Sequence, residues 1–246
     1  MTSIYTVSGL TVPAPVTNVI PSVTGLVAWS YFGSTFSRDN TNIAPGGAAF
    51  VNIGSGPEAI AANYIRCWYN ASIRTAWKRG VNGSNGAVTL IAVGRATISS
   101  ASTQALIGDA RIFVSPKQVE TANGSVPSVS AYRSNVAGPS HTITSALTWR
   151  AYAVTEPASG VSGTTHAMDL TAGTETTAAK TGVSSVTGTD NYMSFGTVEG
   201  NSTGSKRMDI AFGAIVTGRQ MTLTEIEDEI MGYARVDLAA RGITGI

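Results

Sequence analysis

The stretch RMDIAFGAIVTGRQMTLTEIEDEIMGYARVDLAARGITGI (207–246) joins two unlike patterns. Its first ten residues alternate at a period of two, the spacing of a half-buried strand, and place Met208, Ile210, Phe212, Ala214 and Val216 on one face. From Thr222 the period becomes helical. Thr222 and Glu225 form an S/T-x-x-E capping box, in which the hydroxyl serves the Glu225 amide and the carboxylate reaches back to the Thr222 amide. Glu225, Glu227 and Asp228 crowd the first turns, where the helix dipole favours negative charge. Ile226, Ile230, Tyr233 and Val236 recur at helical spacing. Arg235 and Arg241 occupy the C-terminal half, and Gly242 supplies a left-handed stop. The spacing predicts a helix over 222–241 that packs one stripe onto the preceding strands as a structural lid.

Upstream, the chain reads as short strands separated by turns. GLVAWSYF (25–32), AAFVNIG (48–54), NYIRCWYN (63–70), QALIGDARIFVS (104–115), SVSAYRSN (128–135), ALTWRAYAVT (146–155), HAMDLTAGTETTAAK (166–180) and NYMSFGTV (191–198) are rich in β-branched, aromatic and small residues. AVTLIAVGRATISS (87–100) is almost continuously apolar and predicts a central strand covered on both faces. Pro45-Gly46-Gly47 and KRGVNGSNG (78–86) are turn signals. About a dozen such strands in 246 residues suit a single two-sheet sandwich. Residues 1–22 differ: Pro13, Pro15 and Pro21 bar them from a sheet interior, while Ile4, Tyr5, Leu10, Val12 and Val16 require cover. They are expected to form an extended arm before a sandwich over 23–246, lying on its own domain or reaching a partner through Ile4, Tyr5, Leu10, Val12, Pro13, Pro15 and Val16.

At this point the order of motifs resembles that of concanavalin A-like, laminin-G-type jelly rolls. MDIAFGAIVTGRQ followed by MTLTEIEDEI is similar to that family's closing strand and its Leu-Ser/Thr-x-x-Glu-Ile, with Met221 in place of Leu and with Thr222, Glu225 and Ile226 matching. GLVAWSYF and IAPGGAAFVNIGSGP look like the first strands, ALTWRAYAV like the Trp-bearing central strand and NYMSFGTVEG like the strand before the final pair. The resemblance spans roughly 23–242, and YARVDLAARGI is most similar to versions carried by tailed bacteriophages. It implies an all-β antiparallel jelly-roll sandwich with one C-terminal helix, and a bacteriophage setting.

Chemistry is sparse. Hydrolases of this family carry two carboxylates on one strand, often as Glu-x-Asp-x-x-Glu, because one protonates the leaving group while the other attacks or activates water. No strand here has that pattern. Glu120, Glu156, Glu175 and Glu199 fall in loop-like contexts, and EIEDE (225–229) reads as a solvated helix start. SRDNTN (37–42) and GTDNY (188–192) are Asx-rich turns before they are calcium sites. His141 and His166 have no ligand-spaced partner, and Cys67, the only cysteine, reads as a buried thiol. GSGP (54–57) and VNGSNG (81–86) lack the phosphate-loop pattern. Trp29, Trp68, Trp77, Trp149, Tyr132, Tyr152 and Tyr192 would stack on sugars wherever they are exposed, and a sandwich buries most such rings.

A net charge of +1, with charged residues at 13%, gives no basic surface for nucleic acid. No apolar run reaches the roughly 20 residues of a membrane span, and MTSIYTVSGL lacks the basic and apolar regions of a signal peptide. The expectation is therefore a non-enzymatic virion protein made in the host cytoplasm. It would be a capsid decoration or small accessory protein, without cofactor, metal or catalytic residues, homo-oligomeric and bound to other capsid or tail proteins. The alternative is a carbohydrate-binding receptor module of a tail fibre or baseplate, and the third reading is a glycan hydrolase.

Overall fold

The computed structural model describes residues 20–68, 71–78, 86–97, 105–108, 112–121, 124–133, 136–143, 145, 147–158, 161–180, 192–196 and 207–246, with backbone alone within 112–138. In chain order the strands are β1 (Leu26–Tyr31), β2 (Val51–Gly54), β3 (Ala59–Ile60), β4 (Ile65–Cys67) and β5 (Ala71–Lys78). Next come β6 (Val88–Ala96), β7 (Ile107–Gly108), β8 (Ile112–Thr121), β9 (Gly124–Arg133) and β10 (Val136–Thr142). The series ends with β11 (Arg150–Glu156), β12 (Gly163–Asp169), β13 (Thr174–Lys180), β14 (Tyr192–Phe195) and β15 (Met208–Thr217). All pair antiparallel in two sheets. The first runs β13-β12-β11-β6-β15-β4-β3, with β1 on the second half of the β15 edge that β4 leaves open; the other runs β10-β9-β8-β7-β14-β5-β2. The protein is an antiparallel β-sandwich of jelly-roll type with a C-terminal helix.

The helix makes a third layer, and this explains β6. Its Leu90 and Ala92 enter a core shared with Ile73, Trp77, Ile107 and Phe195 of the second sheet. Its Ile91 and Val93 enter a second core, under Ile226, Ile230, Met231, Ala234 and Leu238 of the helix. A strand with apolar cover on both faces has no polar side to alternate with. Ala151, Ala153, Ala211 and Ala214 line the helix-side face, and small side chains there let the helix seat closely. Each fully buried Ile or Leu contributes about 1.5–3 kcal/mol.

β15 departs from simple alternation. Met208 and Ile210 face the second sheet, whereas Phe212, Ala214 and Val216 face the helix. The register shifts between Ile210 and Phe212, so Ala211 is an extra residue and the parity of the strand reverses there. The expectation of a single face for these five residues is thus corrected, although all five are buried. Beyond the bulge Gly213 faces the second sheet, where a Cβ would lie 2.2 Å from the Phe195 ring.

The helix starts as its capping box requires. Thr222 Oγ1 accepts from the Glu225 amide at 3.2 Å, and the Glu225 carboxylate accepts from the Thr222 amide at 2.7 Å. After one α turn (Leu223–Ile226) it widens into a π segment (Glu227–Met231) and resumes as α (Gly232–Ala240). The wide turn moves the buried stripe from a 3.6-residue rhythm to steps of four: 226, 230, 234, 238. Tyr233 and Val236, expected on the packed face, are therefore exposed by 41% and 63%. The helix ends at Arg241, with Gly242 at φ +81°.

Three arginines pin the helix. Arg219 bonds Glu225 and Glu229, and Arg235 bonds Glu227 and the carbonyls of Leu170 and Ile246. Arg241, its side chain almost wholly buried, contacts Asp39 at 2.7 Å and lies between the rings of Tyr31 and Phe36. The Tyr31 hydroxyl donates to Asp237, and burial pushes its pKa well above the usual phenol range.

Candidate functional site

The helix does not cover the whole face beneath it. At the end of the first sheet where β6 finishes and β15 begins, the strands run out beyond the helix. One residue per strand forms a cross-strand row there: Arg95 of β6 opposes Asp209 of β15, Asp209 opposes Arg66 of β4, and Arg66 opposes Ala59 of β3. Trp149 lies one residue before Arg150, which pairs with Gly94, and so continues the row toward β11.

Asp209 anchors this row. Its side chain is 1% exposed, against 33% for Arg66 and 32% for Arg95. Arg66 grips it with Nε at 2.7 Å and Nη2 at 3.0 Å, and Arg95 with Nε at 3.1 Å and Nη2 at 3.0 Å. The Asp209 hydrogen bond holds the Arg66 guanidinium above the usual arginine range. The Tyr64 ring centroid lies 5.8 Å from the Arg66 guanidinium and 5.7 Å from that of Arg95, and the Trp149 ring lies 4.7 Å from Arg95. Tyr64 and Trp149 themselves are 5.7 Å apart, tilted by 55°. Cation–π contacts of this kind hold guanidinium planes in place.

A second row lies two residues further out, on the same face by the period of two. It holds Trp68, Arg207 and Thr97. Arg207 lies 5.3 Å from the Trp68 ring centroid and forks onto Glu58, with Nη2 to Oε1 at 2.6 Å, while Thr97 Oγ1 donates to the Arg207 carbonyl at 2.8 Å. The Arg207 hydrogen bond lowers the Glu58 carboxyl pKa. Trp68 is 36% exposed. Together Tyr64, Trp149 and Trp68 with Arg66, Arg95 and Arg207 make a basic aromatic platform on a rigid sheet. Chemically it offers apolar ring faces beside planar N–H donors.

The sequence candidates distribute as follows. Trp29, Trp77 and Tyr152 are core residues; Trp68 and Trp149 stand on the platform; Tyr192 lies on the outer face of the second sheet beside Arg74 and Lys78; the Tyr132 side chain is outside the described set. Asp39, Asn40 and Asn42 make turns as expected: Asp39 accepts from the Phe36 amide, Asn40 closes onto Gly33, and Asn42 bonds Trp29, Ala44, Val27 and Ala48. His141 links β10 to β13 through Thr176 and Thr174, both at 2.8 Å, and His166 pairs with Glu175. Cys67 is fully buried, which pushes its thiol pKa well up. Glu120, Glu156 and Glu175 fall within β8, β11 and β13, against their expected loop contexts, and Glu156 is buried. Among the described residues no group of three or more His, Cys, Asp or Glu could hold a metal ion, and no helix is long and apolar enough to cross a membrane. The arm residues Ile4, Tyr5, Leu10, Val12, Pro13, Pro15 and Val16 lie outside the described residues, as do Asp190, Asn191 and Glu199 and the side chain of Glu120. Ile20, near the end of the expected arm, packs on the helix-side core.

A cleft of about 310 Å³ opens elsewhere, between Leu26, Val27, Pro45, Ala48 and Trp77. The polar side chains that line it, Asn42, Thr75 and Thr217, are already bonded within the protein. Sequence reading missed the platform because its residues come from four separate segments; the one available signal was Arg beside an aromatic in YIRCW (64–68) and TWR (148–150).

No family model matches this chain, and no curated protein matches it. Solved structures do. The binding domain of Paraclostridial Mosquitocidal Protein 1 is similar at 14% identity and a TM-score of 0.52, over 85% of this chain and 52% of that one. The binding domain of botulinum neurotoxin serotype D/C VPI 5993 matches at 10% identity and a TM-score of 0.55, over 86% and 52%. Trypanosoma rangeli sialidase in complex with sialic acid matches at 13% identity and a TM-score of 0.50, over 90% and 37%. This chain spans about half the length of the toxin binding domains. At such identities the likeness is one of fold: the chain shares a β-sandwich with these proteins.

Proposed function

We propose that this protein is a non-enzymatic glycan-binding module and that the basic aromatic platform is its sugar site. The observation that carries this reading is the half-open Trp68 beside Arg207, on the same sheet face as Tyr64, Trp149 and the Arg66–Arg95 pair. Sugar rings present apolar C–H faces and polar rims, and the platform supplies partners for both. The fold is compatible: cell entry of botulinum neurotoxin type C, a protein of like fold, depends on interaction with two ganglioside molecules, and the sialidase of like fold is in complex with sialic acid. A hydrolase is the weaker reading, because Asp169, Asp209, Glu58, Glu225, Glu227 and Glu229 are each engaged by arginine. The bacteriophage setting rests on the sequence resemblance, and within it the module is a receptor-binding part of a tail fibre or baseplate rather than a capsid decoration. Attachment to other virion proteins is assigned to residues 4–16, which removal of residues 2–20 would weaken in a particle-binding assay.

A glycan array probed with the intact chain and with Trp68→Ala and Tyr64→Ala tests the reading. The expected result is selective retention by the wild type and loss in both variants, with melting of Trp68→Ala little changed. Retention by both variants at wild-type strength would place the site elsewhere.

A further inference from the structure

At the base of the platform two guanidinium groups share one carboxylate. The row Arg95–Asp209–Arg66 carries two positive charges against one negative, whereas the neighbouring Arg207–Glu58 pair is balanced. An arginine has five N–H donors. Asp209 accepts two from Arg66 and one, from Nε, from Arg95, whose Nη2 lies at ion-pair distance, which leaves three N–H groups on Arg66 and four on Arg95 that it does not take up. Asp209 is buried, so its charge is screened from water and spent on the arginines, while each arginine side chain keeps about a third of its surface open. Tyr64 lies near both guanidinium groups and Trp149 near one, so the pair is held in position before any ligand arrives. A planar, pre-positioned pair of forks with surplus positive charge matches an oxyanion far better than a neutral hydroxyl.

We infer that the platform selects acidic glycans, with Arg66 and Arg95 taking a carboxylate or sulfate group of the sugar while the adjacent aromatic rings stack on its apolar face. This inference rests on the glycan-binding reading and narrows it to a ligand class. Neutral sugars lack the group that would complete the arginine pair. Attraction between a partly exposed arginine pair and an anion also weakens as salt rises.

Titration calorimetry with matched ligands tests this on the full chain: 3′-sialyllactose against lactose for the carboxylate, and 3-O-sulfogalactose against galactose for the sulfate. The expected result is at least tenfold tighter binding of one or both acidic members, falling with added salt. Arg95→Gln and Arg66→Gln each leave Asp209 a remaining partner, so both variants should fold, as melting would verify, and each should reduce the preference to threefold or less. Equal binding of acidic and neutral members, or a preference that survives both substitutions, overturns the acidic assignment and leaves the glycan reading standing. Absence of binding to every member, and to a glycan array, overturns both.

Discussion

The helix-side face of the first sheet has two halves built on the same strands. On β6 the successive positions facing the helix are Ile91, Val93 and Arg95; on β11 they are Ala153 and Ala151, continued by Trp149. β15 runs from Ala214 and Phe212 through its bulge to Asp209, continued by Arg207 just before the strand. Under the helix these positions are apolar or small and wholly buried. Beyond its edge they are charged or aromatic, and all but the buried Asp209 are partly open to water. Strand geometry is continuous across the boundary, so cover alone separates the halves. A covered position must be apolar to avoid the cost of burying polar groups, whereas an uncovered one can lay an arginine stem along the sheet and keep its head wet.

The contrast can be broken from either side. The largest effect is expected in the covered half. Ile230→Asp places a charge in the helix-side core and should exceed the roughly 2–5 kcal/mol typical of a buried Ile→Ala change, seen in urea melts as a chain that barely folds; wild-type stability would mean that the helix stripe is not packed. In the open half, Asp209→Ala removes the shared counter-ion of two arginines. It should cost about 2 kcal/mol, below the figure for a fully buried pair because both arginines reach solvent. Thr222→Ala removes the cap at the helix start and should cost about 0.5–2 kcal/mol by the same melts.

A smaller effect is expected from acid. The Thr222 amide, followed by Arg219, holds the Glu225 carboxyl down to about 2 from its ordinary 4.5. A depressed carboxylate contributes stability that is complete above its unfolded pKa and is lost as pH falls through the folded one. The helix contribution of Glu225 should therefore decline between about pH 4.5 and 2, and Glu225→Gln should flatten that part of the stability–pH curve. The side chain is 39% exposed, so solvent screening keeps the slope modest. Trp68→Ala should be the mildest for stability, within about 0.5 kcal/mol, and yet should weaken glycan binding by about tenfold, roughly 1.4 kcal/mol. A large loss of stability with binding intact would make Trp68 a packing residue.

Much of the architecture was legible locally. The capping box, the apolar run of β6 and the Asx turns at 37–42 each depend on residues within a few positions of one another, and each formed as read. Three strands were missed, among them the two-residue β3. In β5 the inward Ile73, Thr75 and Trp77 alternate with outward Arg74, Ala76 and Lys78 in a mixed pattern, and β10 contains Gly138 and Pro139, residue types that disfavour a strand. QALIGDARIFVS proved to span two strands, β7 and β8, and HAMDLTAGTETTAAK a hairpin of β12 and β13. The faces were the weaker part of the reading. A single extra residue at Ala211 reverses strand parity, and a single wide turn at Glu227–Met231 shifts the helix stripe by one position; neither leaves a composition signal.

By itself, then, the sequence determined the class of fold, the position and cap of the helix, and the inertness of Cys67, because propensity, period and capping are short-range physics. Tertiary structure alone decided which apolar residues stay exposed and where the platform lies. Arg66, Arg95, Trp149 and Asp209 are separated by up to 143 positions in the chain, and only strand register across the sheet brings them into one row. Whether each residue there meets water or protein depends on where the helix ends above it, and that is a property of packing rather than of any local stretch.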